Sequence, residues 1–207
     1  MNYLKNYESL SPTDYGNVLA REQFMDYQIK ALWSGIGRIC GPAFTVQLAP
    51  GDNLMLHAAI YQATPGSVIV IDACDNDYAV AGGNVCAVAR ERGIKGFIID
   101  GVIRDLGDIR AMKFPVFARG VCPVPGGKAV FSPLNATISC GGVRVSADDI
   151  IVADEEGIAV IPADNAAEIF DKAKSKANQE SELSLDSWRE AHQAKIEQAL
   201  NNLTLKK

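Results

Sequence analysis

The order of apolar and polar positions along the chain predicts a central region in which strands and helices alternate. Short apolar runs rich in Val and Ile, bounded by Gly, Pro or Asp, are typical of buried strands. Such runs cover residues 43–49, 67–72, 96–100, 115–120, 136–145, 149–154 and 158–162. Between them, residues 53–63 and 84–93 have the apolar spacing of helices, and Gly93 stands where a helix-ending glycine is expected. We therefore predict a mixed α/β fold whose second half is mostly sheet.

The two ends of the chain follow a different pattern. Near the start, Ser11, Pro12 and Asp14 form the signature of a capped helix, which predicts a helix over residues 13–20. Residues 163–202 are rich in Ala, Glu, Lys and Gln, and they predict two helices with a break near the segment SELSLD. The expected units are an N-terminal helical segment (1–35), an α/β core domain (36–162) and a C-terminal helical extension (163–207).

Composition and charge narrow the classes of partner. The chain has 207 residues, of which 48% are hydrophobic and 22% charged, as is ordinary for a globular domain. The net charge is -5, and Lys and Arg are scattered rather than clustered, so we expect no nucleic-acid partner. The N-terminus has no apolar run of signal-peptide length, and no stretch approaches the roughly 18 apolar residues of a spanning helix. These features predict a cytoplasmic protein with no membrane partner.

Cysteine and histidine usage gives little support for a zinc or redox site. The five cysteines are an odd number without a CxxC pair, and most lie in apolar surroundings, which predicts buried thiols. The two histidines, His57 and His192, are isolated from each other and are interpreted as structural.

A pair of glycines precedes the second predicted helix of the core. Gly82 and Gly83 leave the first amide N–H groups of that helix unobstructed, and such groups form a seat for a carboxylate or phosphate. The alternative is a plain turn, and the spacing fits neither a P-loop nor a dinucleotide fingerprint.

Charged residues follow the most hydrophobic strand, in the segment GFIIDGVIRDLGDIR (96–110). The carboxyl ends of strands are where open α/β sheets bind ligands. Arg104 carries a planar cation suited to a carboxylate, and Asp105 is a hard oxygen donor suited to Mg²⁺ or Mn²⁺. Together they suit a 2-oxo acid held beside a metal. The alternative is that Asp105 caps a helix while Arg104 pairs with a surface carboxylate.

The sequence resembles the RraA-like family, which contains metal-dependent 4-hydroxy-4-methyl-2-oxoglutarate (HMG) aldolases and the RraA regulators of ribonuclease E. The resemblance covers about residues 40–162, and its segments are GPAFTV, PGDN, GGNVCAVARERGIKGFIIDGVIRD, FPVFARG and CGGVRVSADDIIVADEEGIAVIP. The most specific part is the pairing of the Gly-Gly-Asn helix start with DGVIRD downstream. The resemblance implies a swivelling β/β/α sandwich with flanking N- and C-terminal helices, assembled as a homotrimer or as a hexamer of two trimers with sites between subunits.

The resemblance also implies roles for individual residues. Arg104 corresponds to the family's catalytic and substrate-binding arginine, and Asp105 corresponds to its catalytic metal ligand, with Mg²⁺ or Mn²⁺ as cofactor. The segment ELSLD matches a C-terminal pattern whose glutamate, here Glu182, reaches a neighbouring subunit's metal site through water. A solvated helix glutamate is the alternative for Glu182. The backbone amides implied to bind the pyruvyl carboxylate are those of Gly82, Gly83, Asn84 and Val85.

The implied activity is retro-aldol cleavage of a small 4-hydroxy-2-oxo acid to pyruvate. Decarboxylation of oxaloacetate is expected beside it, since both reactions pass through the pyruvate enolate. The alternative is a non-catalytic RraA-like regulator that binds a ribonuclease or another protein. Such regulators lack the aspartate that corresponds to Asp105, and its presence here favours the enzyme.

Two parts of the mechanism stay open at this point. A Schiff-base lysine is disfavoured, because Lys95, Lys113 and Lys128 all lie in turn-like or polar settings. The general base is a metal-bound water, Asp100 or a carboxylate from another subunit. The preferred substrate is also open, because the loop 122–137 departs from the aldolase pattern.

Overall fold

A computed structural model describes residues 4–204 of the chain. The strands are β1 (Lys30–Ala31), β2 (Ile39–Gln47), β3 (Val68–Asp72), β4 (Ala79–Ala81), β5 (Gly96–Ile103), β6 (Val116–Val121), β7 (Ile138–Cys140), β8 (Val143–Val145), β9 (Ile150–Asp154) and β10 (Gly157–Ile161). The α-helices are α1 (Leu4–Glu8), α2 (Pro12–Gly16), α3 (Leu54–Gln62), α4 (Gly83–Glu91), α5 (Leu106–Ala111), α6 (Ala166–Ser181) and α7 (Leu185–Thr204).

One mixed sheet forms the centre of the molecule. Its strand order is β1-β6-β5-β3-β2-β9-β10, and the short strand β4 pairs with β5 outside this path. The strands β2, β3, β5 and β6 are parallel, whereas β9, β10 and β1 join antiparallel. Residues 68–71 of β3 are all buried, because helices cover one face of the sheet and further strands cover the other.

The core divides between the two faces of this sheet. On one face, α3, α4 and α5 pack through residues such as Leu56, Cys86 and Ile109. On the opposite face, the hairpin of β7 and β8 packs against Val70 and Ile98. The helices α1, α2 and α6 cover a third cluster beside β9 and β10. The predicted mixed α/β fold with flanking helices is therefore confirmed.

Most predicted elements are present, with shifted limits. The helix predicted at 13–20 ends at Gly16, although Ser11 and Asp14 do form its capping box. The strand predicted at 136–145 is a hairpin, because Gly141 and Gly142 both have positive φ and turn the chain between β7 and β8. The break in the C-terminal helical region falls between Ser181 and Leu185, as predicted.

Cysteine burial follows the sequence interpretation in part. Cys40, Cys86 and Cys140 are buried free thiols, whereas Cys74 is exposed. The exposed position of Cys74 follows from its place in the turn after β3, where its φ of 58° is in the left-handed region.

The parallel strands bring two polar segments to one edge of the sheet. Ala81 of β4 pairs with Ile103 of β5, so the residues that follow these strands are neighbours. The backbone N–H of Arg104 donates to the carbonyl of Ala81 at 2.9 Å. The Gly82-Gly83 pair and the Arg104-Asp105 pair therefore meet, although about twenty residues separate them in sequence.

Candidate active site

The turn after β5 leaves Arg104 and Asp105 open to a ligand. Asp105 has φ 58°, in the left-handed region that Asp tolerates better than most residues. The side chains of Arg104 and Asp105 are 42% and 41% exposed. Both charged groups are thus fixed at the sheet edge yet remain within reach of a small molecule.

The carboxylate of Asp105 is bound to the start of α4. Its Oδ2 accepts a hydrogen bond from the backbone N of Gly83 at 3.0 Å, and the Nε of Arg104 lies 3.6 Å from the same oxygen. Asp105 precedes α5 in sequence, but its side chain makes no capping hydrogen bond to that helix. Asp105 is thus the N-cap residue of α5, as the alternative predicts, but its carboxylate is bound to α4 instead of α5.

Gly82 is required by this contact, and Gly83 is tightly packed beside it. A Cβ on Gly82 would lie 2.5 Å from Oδ2 of Asp105 and 3.2 Å from Nε of Arg104. A Cβ on Gly83 would lie 3.3 Å from Cβ of Asp108. Any side chain at position 82 would displace the Arg104-Asp105 pair, so this Gly-Gly sequence does more than form a turn.

These residues border a pocket of about 180 Å³. Because Asp105 already occupies the amide of Gly83, the helix-start amides left for a ligand are those of Asn84 and Val85. Small-molecule sites are concave and carry a few convergent polar groups, which is the arrangement here. The lining consists of Asn53, His57, Ala79, Val80, Ala81, Gly82, Asn84, Val85, Arg104, Asp105, Pro125 and Lys128.

Three polar residues of this lining were not predicted as site residues. His57 belongs to the first turns of α3, Asn53 precedes that helix, and Lys128 lies in the loop 122–137. Burial, and secondarily the charge of Lys128, lowers the pKa of the His57 imidazole, which favours its neutral form. The Oδ1 atom of Asn53 is buried and has no hydrogen-bond partner.

A buried carboxylate holds Lys128 at the pocket. Asp52 accepts hydrogen bonds from the backbone N atoms of Leu54 at 2.8 Å, Ala129 at 2.6 Å and Val130 at 3.3 Å. Burial opposes ionisation of Asp52, but these three N–H groups and nearby Lys128 outweigh it, so the pKa of its carboxyl is lowered. Asp52 thereby joins the loop 122–137 to the start of α3.

A second, larger concave surface lies elsewhere. A groove of about 470 Å³ runs between the N-terminal segment, residues 12–30, and the turn at residues 154–158. Its lining includes no residue of the candidate site, and two of its four acidic residues, Asp26 and Asp154, are paired with Arg119 and Arg38. The smaller pocket, which contains the predicted residues Arg104 and Asp105, is therefore the candidate site.

Comparison with known protein families identifies the family of the chain. A family model described as RraA-like, Aldolase/RraA, matches residues 13–160. The chain belongs to the RraA-like family.

Relatives of the chain carry names that indicate different functions. The chain is 45% identical over 140 residues to a protein of Halalkalibacterium halodurans named "Putative 4-hydroxy-4-methyl-2-oxoglutarate aldolase", covering 67% of each sequence. It is 32% identical over 185 residues to an uncharacterised protein of Methanocaldococcus jannaschii, covering 88% of this chain and 86% of that one. The crystal structure of RraAS2 from Streptomyces coelicolor, described as an unusual member of the RNase ES inhibitor RraA family, matches with a TM-score of 0.77 and 25% identity. That match covers 86% of this chain and 93% of the other.

The donor set of this RraA-like site suits a divalent cation that keeps most of its water. Within residues 4–204, no group of three His, Cys, Asp or Glu side chains is placed to hold a metal. Asp105 supplies one hard carboxylate, and the orphaned Oδ1 of Asn53 adds a neutral oxygen to the same lining. Mg²⁺ is commonly bound through one or two carboxylates, with water and substrate filling its other positions, so these residues fit it.

Asp100 links parts of the β-sheet structure and is not a residue of the pocket. Its Oδ1 accepts a hydrogen bond from Nε of Arg119, and its Oδ2 accepts one from the backbone N of Gly141 at 2.7 Å. Asp100 thus ties β5 to β6 and to the turn of the β7–β8 hairpin. It does not line the pocket, which leaves it without a contact through which to act as the base.

Glu182 does not line the pocket of its own chain. It follows the last residue of α6, is exposed, and is not among the pocket lining. In the helix α7 that follows, residues 185–203 are exposed. No helix within residues 4–204 is both long enough and apolar enough to cross a membrane.

Proposed function

We propose that the protein is a divalent-metal-dependent lyase that cleaves a small 4-hydroxy-2-oxo acid, such as 4-hydroxy-4-methyl-2-oxoglutarate, to pyruvate. The same site would decarboxylate oxaloacetate, because both reactions pass through the pyruvate enolate. The observation that carries the proposal is the contact between Asp105 and the amide of Gly83. It joins a carboxylate, a guanidinium and the start of a helix around one pocket of about 180 Å³.

Different residues of the pocket would bind different parts of the substrate. The amides of Asn84 and Val85, at the positive end of α4, would hold the carboxylate of the 2-oxo acid. The guanidinium of Arg104 would lie beside the keto oxygen and stabilise negative charge as the enolate develops. The Gly83 amide fixes Asp105 in one orientation before substrate arrives.

A divalent cation, Mg²⁺ or Mn²⁺, would be held by Asp105 and would act as a Lewis acid on the 2-oxo acid. Glu182 of a neighbouring subunit would approach this cation through water in a homotrimer or hexamer. We place the enzyme in the cytoplasm, where it would act on small 2-oxo acids without a nucleic-acid or membrane partner. The domain limits of 1–35, 36–162 and 163–207 are those proposed for its functional units.

Pyruvate release tests the proposal directly. HMG and oxaloacetate are supplied separately with Mg²⁺, with Mn²⁺ and with EDTA, and pyruvate is followed by a coupled assay. We expect metal-dependent turnover by the wild type and a loss of at least about 100-fold in Asp105→Asn. Asp148→Asn is the matched control, since Asp148 is also an exposed aspartate with positive φ, at 68°. Equal turnover by Asp105→Asn and the wild type would contradict the proposal.

A non-catalytic RraA-like regulator is the second candidate. The match to the RraAS2 structure, which belongs to an inhibitor family, favours it. Such a protein would bind a ribonuclease or another protein and need no metal. Titration of the protein into Mn²⁺ distinguishes the enzyme from the regulator, and the electron paramagnetic resonance spectrum of Mn²⁺ is the measurement. Binding to the enzyme would broaden this spectrum, whereas a regulator would leave it unchanged.

A further inference from the structure

Retro-aldol cleavage needs a group that takes a proton from the C4 hydroxyl. The titratable side chains in the pocket lining are His57, Arg104, Asp105 and Lys128. Arg104 is a permanent cation and has no lone pair to offer. Asp105 already accepts the Gly83 amide and faces the Arg104 guanidinium, in the position proposed for the metal.

His57 and Lys128 have complementary properties. Both side chains line the pocket, so an imidazole and an ammonium group lie in the same small space. A neutral imidazole has a free nitrogen lone pair, so it accepts a proton under conditions where the ammonium and the guanidinium cannot. Among the pocket side chains, His57 is therefore the one whose chemistry suits a base.

The fold holds His57 in place firmly enough for this role. Its backbone N donates to the carbonyl of Asn53 at 3.3 Å, and its neighbours Met55 and Leu56 are buried in the core. These buried neighbours fix the rotation of α3 about its axis and leave His57 at the pocket. Asp52 binds both the start of α3 and the loop that carries Lys128, so the two side chains are positioned by one carboxylate.

We propose that His57 is the general base of the cleavage step in the proposed function, on which this inference rests. The imidazole takes the proton of the C4 hydroxyl, the C3–C4 bond breaks, and C4 and its oxygen leave as a carbonyl product. The electron pair of the broken bond passes into the C2–C3 enolate. The imidazolium then gives its proton to C3, which completes pyruvate and restores the neutral imidazole.

A comparison of the two proposed reactions distinguishes a general base from a structural residue. Decarboxylation of oxaloacetate breaks its C–C bond with loss of CO₂ and has no hydroxyl proton to remove, and the enolate that it leaves takes its C3 proton from solvent. A variant without the base should therefore lose the aldol reaction while keeping decarboxylation. General acid–base catalysis contributes typically 10²–10⁴-fold, which sets the size of the expected loss.

The test compares His57→Gln with His192→Gln. His192 is the other histidine of the chain, and it lies on the exposed helix α7, stacked on Trp188 with ring centroids 4.5 Å apart. We expect His57→Gln to lower kcat for HMG cleavage by at least about 100-fold and to leave oxaloacetate decarboxylation within about threefold. His192→Gln should leave both rates unchanged. Circular dichroism melting of each variant confirms that it is folded.

Chemical rescue provides the second measurement. His57→Ala leaves a space at the pocket, and added imidazole should restore part of the HMG cleavage rate without changing the decarboxylation rate. Equal losses of both reactions in a folded His57→Gln protein, or no loss of HMG cleavage, would overturn the role of His57. A wild type that turns over neither substrate would instead overturn the proposed function itself.

Discussion

The carboxylate oxygen Oδ2 of Asp105 lies 3.0 Å from the backbone N of Gly83, and through this contact the end of β5 is bound to the beginning of α4. The relationship depends on two unusual backbone positions. Asp105 adopts a left-handed conformation, and Gly82 leaves no Cβ in the space that Arg104 and Asp105 occupy. Two short motifs with weak individual signals therefore act as one structural unit.

Gly82→Ala should inactivate the enzyme without unfolding it. The new Cβ would lie 2.5 Å from Oδ2 of Asp105, so the carboxylate has to move away from the amide of Gly83. We expect kcat/KM to fall by at least about 100-fold, as for other displacements of a positioned group by about 1 Å. Steady-state kinetics of pyruvate release measure this change.

Gly107→Ala is the control for that substitution. Gly107 lies in α5, three residues after Arg104, and a Cβ there meets nothing within 4 Å. Alanine should raise the free energy of unfolding by up to about 1 kcal/mol and leave the kinetics unchanged. A similar loss of activity in both variants would mean that the effect arises from rigidity in this region rather than from displacement of Asp105.

Asp100→Ala should weaken the fold and spare the chemistry. The substitution leaves Nε of Arg119 and the backbone N of Gly141 without this acceptor, although the Arg119 guanidinium keeps its contact with Asp26. The side chains of Asp100 and Arg119 are both 21% exposed. We expect the free energy of unfolding to fall by about 2–4 kcal/mol. At a temperature where the variant is folded, its kcat should stay within about threefold of the wild type. A large loss of kcat in folded protein would restore Asp100 as a candidate base.

Asp52→Asn should lower stability in a pH-dependent way. The folded-state pKa of Asp52 is depressed, so its contribution is fully present above the unfolded value of about 3.9 and is lost as the pH falls through the folded pKa. Near pH 7 we expect a loss of about 1–3 kcal/mol, because charge-assisted hydrogen bonds to Ala129 and Val130 weaken. Urea denaturation at pH 7 and at about pH 3 checks this, and the difference from the wild type should shrink at the lower pH. An equal difference at both values would mean that the ionised carboxylate is not what binds the loop.

Local patterns predicted the longer strands of the sheet and only part of the pocket. Burial on both faces makes β3 an unbroken apolar run, VIVI, and that signal is visible in the sequence. The short strand β4 was missed because its three residues merge into the following glycines. The helix α5 was missed because six residues carry too little periodicity.

The missed pocket residues have a different cause. His57 and Lys128 are brought together by Asp52, whose hydrogen bonds span up to 78 residues of sequence. No pattern within α3 distinguishes a histidine that faces a pocket from one that faces solvent. Arg104 and Asp105 were identifiable because they directly follow a strong strand, whereas the loop 122–137 has no regular period from which the position of Lys128 follows.

The proposed role of Glu182 makes a prediction about subunit mixing. Glu182 is exposed and lies outside the pocket of its own chain, so its function requires a second copy. We expect Glu182→Gln to lower kcat/KM by about 10-fold, as is common when an outer partner of a metal site is lost. Glu180→Gln is the control, since Glu180 is an exposed glutamate in the last turn of α6, two residues before Glu182.

Complementation distinguishes a contribution between subunits from one within a chain. When Asp105→Asn and Glu182→Gln proteins are mixed, dissociated and reassembled, some sites combine an intact Asp105 from one subunit with an intact Glu182 from its neighbour. Those sites should have wild-type activity, so the mixture should exceed the mean activity of the two separate variants. If Glu182 acted within its own chain, or played no part, reassembly would leave the activity at that mean. Size-exclusion chromatography with light scattering, run on the same samples, gives the number of subunits that exchange.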